Sequence, residues 1–403
     1  MTLRSNPNPG CSTSLSIRAY RTTWRAGKMA RGESSRKSGG WFHRFVIGSA
    51  LALLLPFGVS AAVAGSAHAA PDLDGFDFWV ESASMGPIKS RVFRAADGNT
   101  DRVVYALDGG RAQEDLSGWE INTEVARQFT AADINVVMPI GGQASFYADW
   151  NAPSSFLDQP AGSATGSAAG SSSGSVALQV FSGGPAKGYR YTWETFLSQD
   201  LRTALRQRLG FNPNRNGVFG LSMSGSSALE LAAYHPDQFS YAGPFSGYLN
   251  ISAPGMREAI RAAMIDAGGY NVDSMAPPWS SQWLRMDPFV FAPLLKADGT
   301  RLWIATDPGI PTGDPVAFST LDGMALEALA LANTRAFQAR ADSIGLTDAT
   351  YNFPAVGIHN WSNWAGQAAQ MLPDLSRNIG WGRISVARMA KFSATFSSRC
   401  TKH

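Results

Sequence analysis

The chain has 403 residues, 44% hydrophobic and only 16% charged, which is enough apolar sequence for one large or two ordinary domains. Its formal charge of +3 is unevenly spread: the first 70 residues hold nine of the 34 Lys/Arg and one of the 31 Asp/Glu, leaving 25 basic against 30 acidic residues beyond them. A body with that slightly acidic balance lacks the basic surface of a nucleic-acid binder, so no nucleic-acid partner is expected.

The basic start carries a targeting pattern. Arg31, Arg36, Lys37 and Arg44 precede an apolar run from Phe45 to Val63, and Ala67-His68-Ala69 follows as a small-x-small site. That order predicts a secretory signal peptide cut near Ala69–Ala70, and the Pro56-Phe57-Gly58 break argues against a retained membrane anchor. Met1 and Met29 are both candidate starts. Of the two cysteines, Cys11 lies in this leader and Cys400 near the end. The mature body therefore has no internal disulfide, thiol nucleophile or thiolate metal site. Its histidines form no HExxH pattern, so neither metal nor cofactor is expected.

From residue 71 onward short apolar runs alternate with helical patterns, as in an α/β domain with a mostly parallel central sheet flanked by helices. Arg102–Leu107 reads as a buried strand ending at Asp108-Gly109-Gly110. Ile134–Met138 ends at Pro139, and Gly217–Leu221, Phe239–Gly243 and Arg301–Thr306 follow. In such sheets the working groups sit on loops beyond the carboxyl ends of the strands. Ala161–Ser175 is Ala, Gly and Ser with one Thr, the composition of a flexible excursion. Ordered sequence resumes at Trp193-Glu194-Thr195-Phe196. The expected organisation is a leader (1–69), one catalytic-size domain (70–385) with an insertion at about 153–187, and a basic tail (386–403).

Gly220-x-Ser222-x-Ser224 is one residue away from the G-x-S-x-G elbow, with a strand-like run before it and a helix-like run after it. Such an elbow exposes its serine at the tip of a strained strand-to-helix turn, and small flanking residues let the backbone double back. It makes Ser222 a candidate nucleophile, with the Met223 N–H directed at an oxyanion. A second donor is expected from the loop after an earlier strand, where the Gly110 N–H is placed for it; the alternative for that loop is an ordinary turn. The acid and the base follow the serine in this order of elements. His235 reads as a helix-end residue and His403 lies in the tail, which leaves His359 as the base. For the acid, Asp307, Asp314, Asp322, Glu327, Asp342 and Asp348 stay open on chemistry alone.

Seven segments in order resemble the mycolyltransferases of the antigen 85 family, a branch of the α/β-hydrolase superfamily. They are LDGGRAQEDLSGWEINT (107–123), VVMPIGGQASFYADW (136–150), YTWETFL (191–197), GLSMSGSSALELAAYHPDQFSYAG (220–243), DAGGYN (266–271), RLWIATDPG (301–309) and HNWSNW (359–364). The resemblance implies an α/β-hydrolase fold and selects Glu327 as the acid, on a short helix ahead of Phe337-Gln338. It implies that Ser222 takes a mycoloyl group from trehalose monomycolate and passes it to a second sugar hydroxyl, on trehalose monomycolate or cell-wall arabinogalactan. It also implies trehalose contacts at Asp108, Arg111, Gln113 and Asn122, with Trp361 walling the sugar pocket. Three positions depart from the family pattern: Gly110 replaces a leucine, Thr306 a cysteine, and the insertion a cysteine pair.

The chain is expected to be a secreted, monomeric acyltransferase. A secreted carboxylesterase or lipase would use the same triad, and extracellular-matrix binding could accompany or replace catalysis.

Overall fold

Val103–Leu107 (β3) and Asn135–Pro139 (β4) are buried at every position, as strands covered on both faces must be. The structure, a computed structural model, describes residues 75–156, 188–313 and 318–380. The leader with its cleavage site, Cys11, most of the 153–187 insertion, Asp314 and the tail with Cys400 and His403 lie outside the described residues.

Around β3 and β4 stand Phe76–Ser82 (β1), Gly86–Phe93 (β2), Asn216–Leu221 (β5), Phe239–Phe245 (β6), Arg301–Ala305 (β7) and Ala349–Asn352 (β8). They form one eight-stranded sheet in the order β1-β2-β4-β3-β5-β6-β7-β8. The β1–β2 hairpin is antiparallel, β2 meets β4 antiparallel, and all other pairs are parallel. The expectation of a mostly parallel sheet holds. β3 to β7 coincide, to within one or two residues, with the strands read from the sequence; β1, β2 and β8 were not among them. β1 alternates buried and exposed positions and carries charge outward, and β8 is only partly buried throughout. Edge strands of that kind lack the continuous apolar run that marks an interior strand.

Helices close both faces. Met223–Tyr234 (α4) buries eleven of its twelve residues, which its Ser, Gly and Ala content permits by letting it approach the sheet closely. A Cβ on Gly225 would stand 2.8 Å from the Cα of Gly247. On the other face, Val125–Ala131 (α2) and Trp361–Asn378 (α8) pack Phe129, Met371 and Leu375 against Phe219, Tyr241 and Phe245. The segment expected as a short helix around Glu327 belongs instead to a 27-residue helix, Phe318–Ile344 (α7). Among the described residues no helix is long and apolar enough to cross a membrane.

Replacing Gly225 with Ala should force α4 away from Gly247. The expected cost is about 1–3 kcal/mol, read as a lower denaturant midpoint with an unchanged m-value.

Candidate active site

Strand β5 ends at Leu221 and α4 begins at Met223, so a single residue turns the chain. Ser222 does this at φ 56° and ψ −121°, a conformation that costs a non-glycine residue about 1–3 kcal/mol. Neighbours hold it there. The Ser222 N–H donates to Phe245 O at 2.8 Å, and the Gly225 N–H donates to Ser222 O at 3.1 Å. Ser224, where the elbow pattern has its second glycine, accepts from the Leu221 N–H at 2.9 Å. Its hydroxyl also lies 2.9 Å from Leu107 O, tying the elbow to the end of β3. Gly220 must lack a side chain, because a Cβ there would stand 2.4 Å from Ser224 Oγ.

Beyond the neighbouring strand ends lies a carboxylate–imidazole pair. Glu327 Oε2 is 2.7 Å from His359 Nδ1, with the carboxylate fully buried and the imidazole nearly so. Glu327 Oε1 accepts from Ser246 Oγ and from the Asp307 N–H, each at 2.7 Å. Three donors therefore surround a charge that burial alone would expel. His359 sits just before α8, whose N-cap Asn360 accepts from the Asn363 N–H. The His359 N–H donates to Gly323 O on α7 at 3.1 Å, so the helix that carries Glu327 also fixes the loop that carries His359.

Sequence reasoning missed two members of this network. Ser246, in the left-handed region at φ 49°, follows β6. It accepts from Trp364 Nε1 at 3.0 Å while donating to Glu327. Trp364 stands edge-on to the His359 ring at 4.8 Å. The signal for Trp364 was its place in HNWSNW, one helical turn after Trp361. Ser246 carried none beyond a strand end. Nδ1 of His359 is occupied by Glu327, which leaves Nε2 for a serine. Among the described residues Ser222 Oγ makes no hydrogen bond to His359; the Tyr248 phenol stands near it, and burial pushes that phenol up to about 12. His235 is at the C-cap of α4, as expected, with Nε2 2.8 Å from Glu194 in an ion-pair cluster with Arg285.

The loop after β3 lies over the elbow. A Cβ on Gly110 would stand 4.0 Å from Met223 Cβ, so the two expected N–H donors are neighbours. As the first residue of α4, Met223 has no intrahelical acceptor for its N–H. A turn does form here, with the Ala112 N–H donating to Gly109 O at 3.1 Å.

The residues expected to contact a sugar do not share one environment. Asp108 is buried: Oδ2 accepts from the Gly118 N–H at 3.0 Å, and Oδ1 has no partner. Burial pushes its carboxyl up to about 7 against the opposing pull of that hydrogen bond. Trp361 covers it, since a Cβ on Gly118 would stand 2.2 Å from the Trp361 ring. Trp361 in turn stands edge-on to Trp119 and Trp364, each at 5.4 Å. Arg111 is mostly exposed and pairs with Asp266. Gln113 is exposed, and Asn122 Nδ2 donates back to Gly118 O at 3.0 Å. Among the described residues no cluster of His, Cys, Asp or Glu is arranged to hold a metal.

A mostly parallel sheet with a strained serine between strand and helix defines an α/β-hydrolase-type enzyme. A family model described as a putative esterase matches residues 179–375. The chain is 37% identical over 349 residues to the diacylglycerol acyltransferase/mycolyltransferase Ag85B of Mycolicibacterium smegmatis, covering 85% of this chain and 98% of that one. It is 37% identical over 338 residues to the corresponding Ag85C of Mycobacterium avium, covering 82% and 86%. Among solved structures, MPT51 of Mycobacterium tuberculosis aligns at a TM-score of 0.61 and 29% identity, over 77% of this chain and 100% of that one. An S-formylglutathione hydrolase from Agrobacterium tumefaciens aligns at 0.51 and 15% identity, over 77% and 98%, a likeness of fold alone. The chain belongs to the antigen 85 family of diacylglycerol acyltransferases/mycolyltransferases, and it is an acyltransferase.

Ser246→Ala should remove a donor from Glu327 and leave Trp364 Nε1 without an acceptor. The expected loss is about 1–3 kcal/mol of unfolding free energy, with reduced acyl transfer, measured by denaturant titration and turnover on one preparation.

Proposed function

We propose that this chain is a secreted mycolyltransferase that carries the acyl group as an ester on Ser222. The observation that carries the reading is the strained Ser222 at the head of α4, beside the 2.7 Å Glu327–His359 pair. The names of its relatives support the activity class.

In the proposed cycle the Ser222 hydroxyl turns from Tyr248 toward His359 Nε2. His359 takes its proton as Oγ attacks the ester carbonyl of trehalose monomycolate. Glu327, buried and held by Ser246 and the Asp307 N–H, stabilises the resulting imidazolium. The N–H groups of Met223 and Gly110 receive the negative oxygen of the tetrahedral intermediate. Trehalose leaves with the proton from His359, giving the acyl-enzyme. A hydroxyl of a second trehalose monomycolate, or of arabinogalactan, then attacks with His359 again as base.

The sugar is received by Asp108, Arg111, Gln113 and Asn122, with Trp361 as a wall. Support comes from the unpartnered Asp108 Oδ1, since a buried acceptor without a donor is costly and a sugar hydroxyl would satisfy it. The leader, with its basic start and Ala67-His68-Ala69 site, supports export to the cell envelope.

The test is acyl transfer by residues 70–403 with trehalose monomycolate, with and without free trehalose. Trehalose dimycolate should form with the native serine and not with Ser222→Ala. Glu327→Gln should slow transfer by about 10²–10⁴-fold. Free mycolate with no new sugar ester would replace this reading with a hydrolase.

A further inference from the structure

The proposed cycle uses the backbone of Asp307 but not its carboxyl. Asp307 lies just beyond β7 and is only 3% exposed. Its N–H donates to Glu327 Oε1 at 2.7 Å. Its carboxyl packs against the loop that carries the base: a Cβ on Gly357 would stand 2.4 Å from Asp307 Cγ. Gly357 is two residues before His359, and its N–H donates to Ile310 O at 2.7 Å. Asp307 therefore touches both the acid and the base-bearing loop.

Few other groups face these two carboxyls. The loop before α8 brings His359, and the loop after β6 brings Tyr248 toward Glu327. α8 offers the neutral Gln367, which lowers the Asp307 carboxyl slightly and whose Oε1 accepts from Asn352 Nδ2 of β8 at 2.7 Å. Among the described residues no lysine or arginine pairs with either carboxylate.

We infer that Asp307 is a positioning residue for the transfer reaction. Its carboxyl props the His359 loop and, once ionised, adds its charge to that of Glu327 in holding the imidazolium. This rests on the reading of Glu327 and His359 as acid and base.

Burial and the adjacent Glu327 push the Asp307 carboxyl up to about 7. It releases its proton to solvent in the range where imidazoles titrate. Two consequences are linked. As Asp307 ionises, its charge favours the protonated imidazole, so activity rises with pH more gradually than for one isolated ionisation. The folded state also holds the Asp307 proton more tightly than the unfolded chain does. That contribution to stability is complete below the unfolded carboxyl pKa and is lost as pH rises through about 7.

The experiment compares the native enzyme with Asp307→Asn, and with Asp307→Ser as a second uncharged variant. Acyl-transfer kcat/KM is measured from about pH 5 to 9, spanning the imidazole range. The His359 imidazole is followed by ¹⁵N NMR over the same range, assigned with His359→Gln. In the variants the acid limb and the imidazole titration should both move toward acid by about one pH unit and steepen to a single ionisation. Thermal stability should rise relative to the native enzyme at about pH 8 but not at about pH 5. Superimposable imidazole titrations would overturn the role of Asp307, as would failure of both variants to fold at the alkaline pH. Full turnover by Ser222→Ala would instead remove the acid–base reading on which the role rests.

Discussion

The backbone of Ser222 is the constraint on which the rest depends. An L-residue at φ 56° and ψ −121° is strained, and the surroundings over-determine it. β6 supplies the acceptor Phe245 O, while Ser224 bonds both the elbow and the end of β3. Gly220 and Gly225 leave room where any side chain would collide. The same geometry brings the helix amides and the β3 loop together above the serine. A looser turn would lose the strain, and with it the registry between the Ser222 hydroxyl and the N–H groups of Met223 and Gly110.

The carboxylates near the sheet's carboxyl edge divide by how completely they are satisfied. Glu327 is fully buried, and both of its oxygens are met, by His359, Ser246 and a backbone N–H. Asp108 keeps an oxygen without a donor, and its carboxyl is pushed up to about 7 by burial. The first arrangement suits a permanent partner of the His359 imidazole. The second suits a group completed by something that arrives. Between them, Trp119, Trp361 and Trp364 pack edge to face and join the β3 loop to the His359 loop. Shielding of this kind raises the worth of every hydrogen bond inside the site.

Membership of the antigen 85 family and the architecture agree on acyl transfer, but the fold by itself does not choose an acceptor. A hydrolase and a transferase on this frame differ in whether water or a sugar hydroxyl reaches the acyl ester. In the proposed function, the features that bear on that choice are the loop at 108–122 and Trp361 rather than Ser222, Glu327 and His359. Arg111 is engaged with Asp266 at the end of the helix Met256–Asp266, so the rim of the site is assembled from distant parts of the chain.

Much of this was legible in the sequence because the signals were local. Interior strands showed as uninterrupted apolar runs, and Gly220-x-Ser222-x-Ser224 announced the turn. Elimination among a few histidines left His359, and the resemblance of ordered segments selected Glu327 from six carboxylates. The edge strand β1 and its hairpin partner β2 were not legible, because their outward residues include charged ones, and the antiparallel pairing of β2 with β4 joins segments far apart in the chain. Nor were the bonds of Ser224 to Leu107, 117 residues away, and of Ser246 to Glu327, 81 residues away. Asp108 read as a ligand contact, and only the folded chain showed it buried under Trp361. The sequence by itself determined residue types, strand ends and the elbow, which depend on neighbours along the chain. Tertiary structure alone showed the contact between Glu327 and His359 and decided which polar groups are satisfied. Hydrogen bonds and burial are properties of contacts between segments, and no local pattern encodes them.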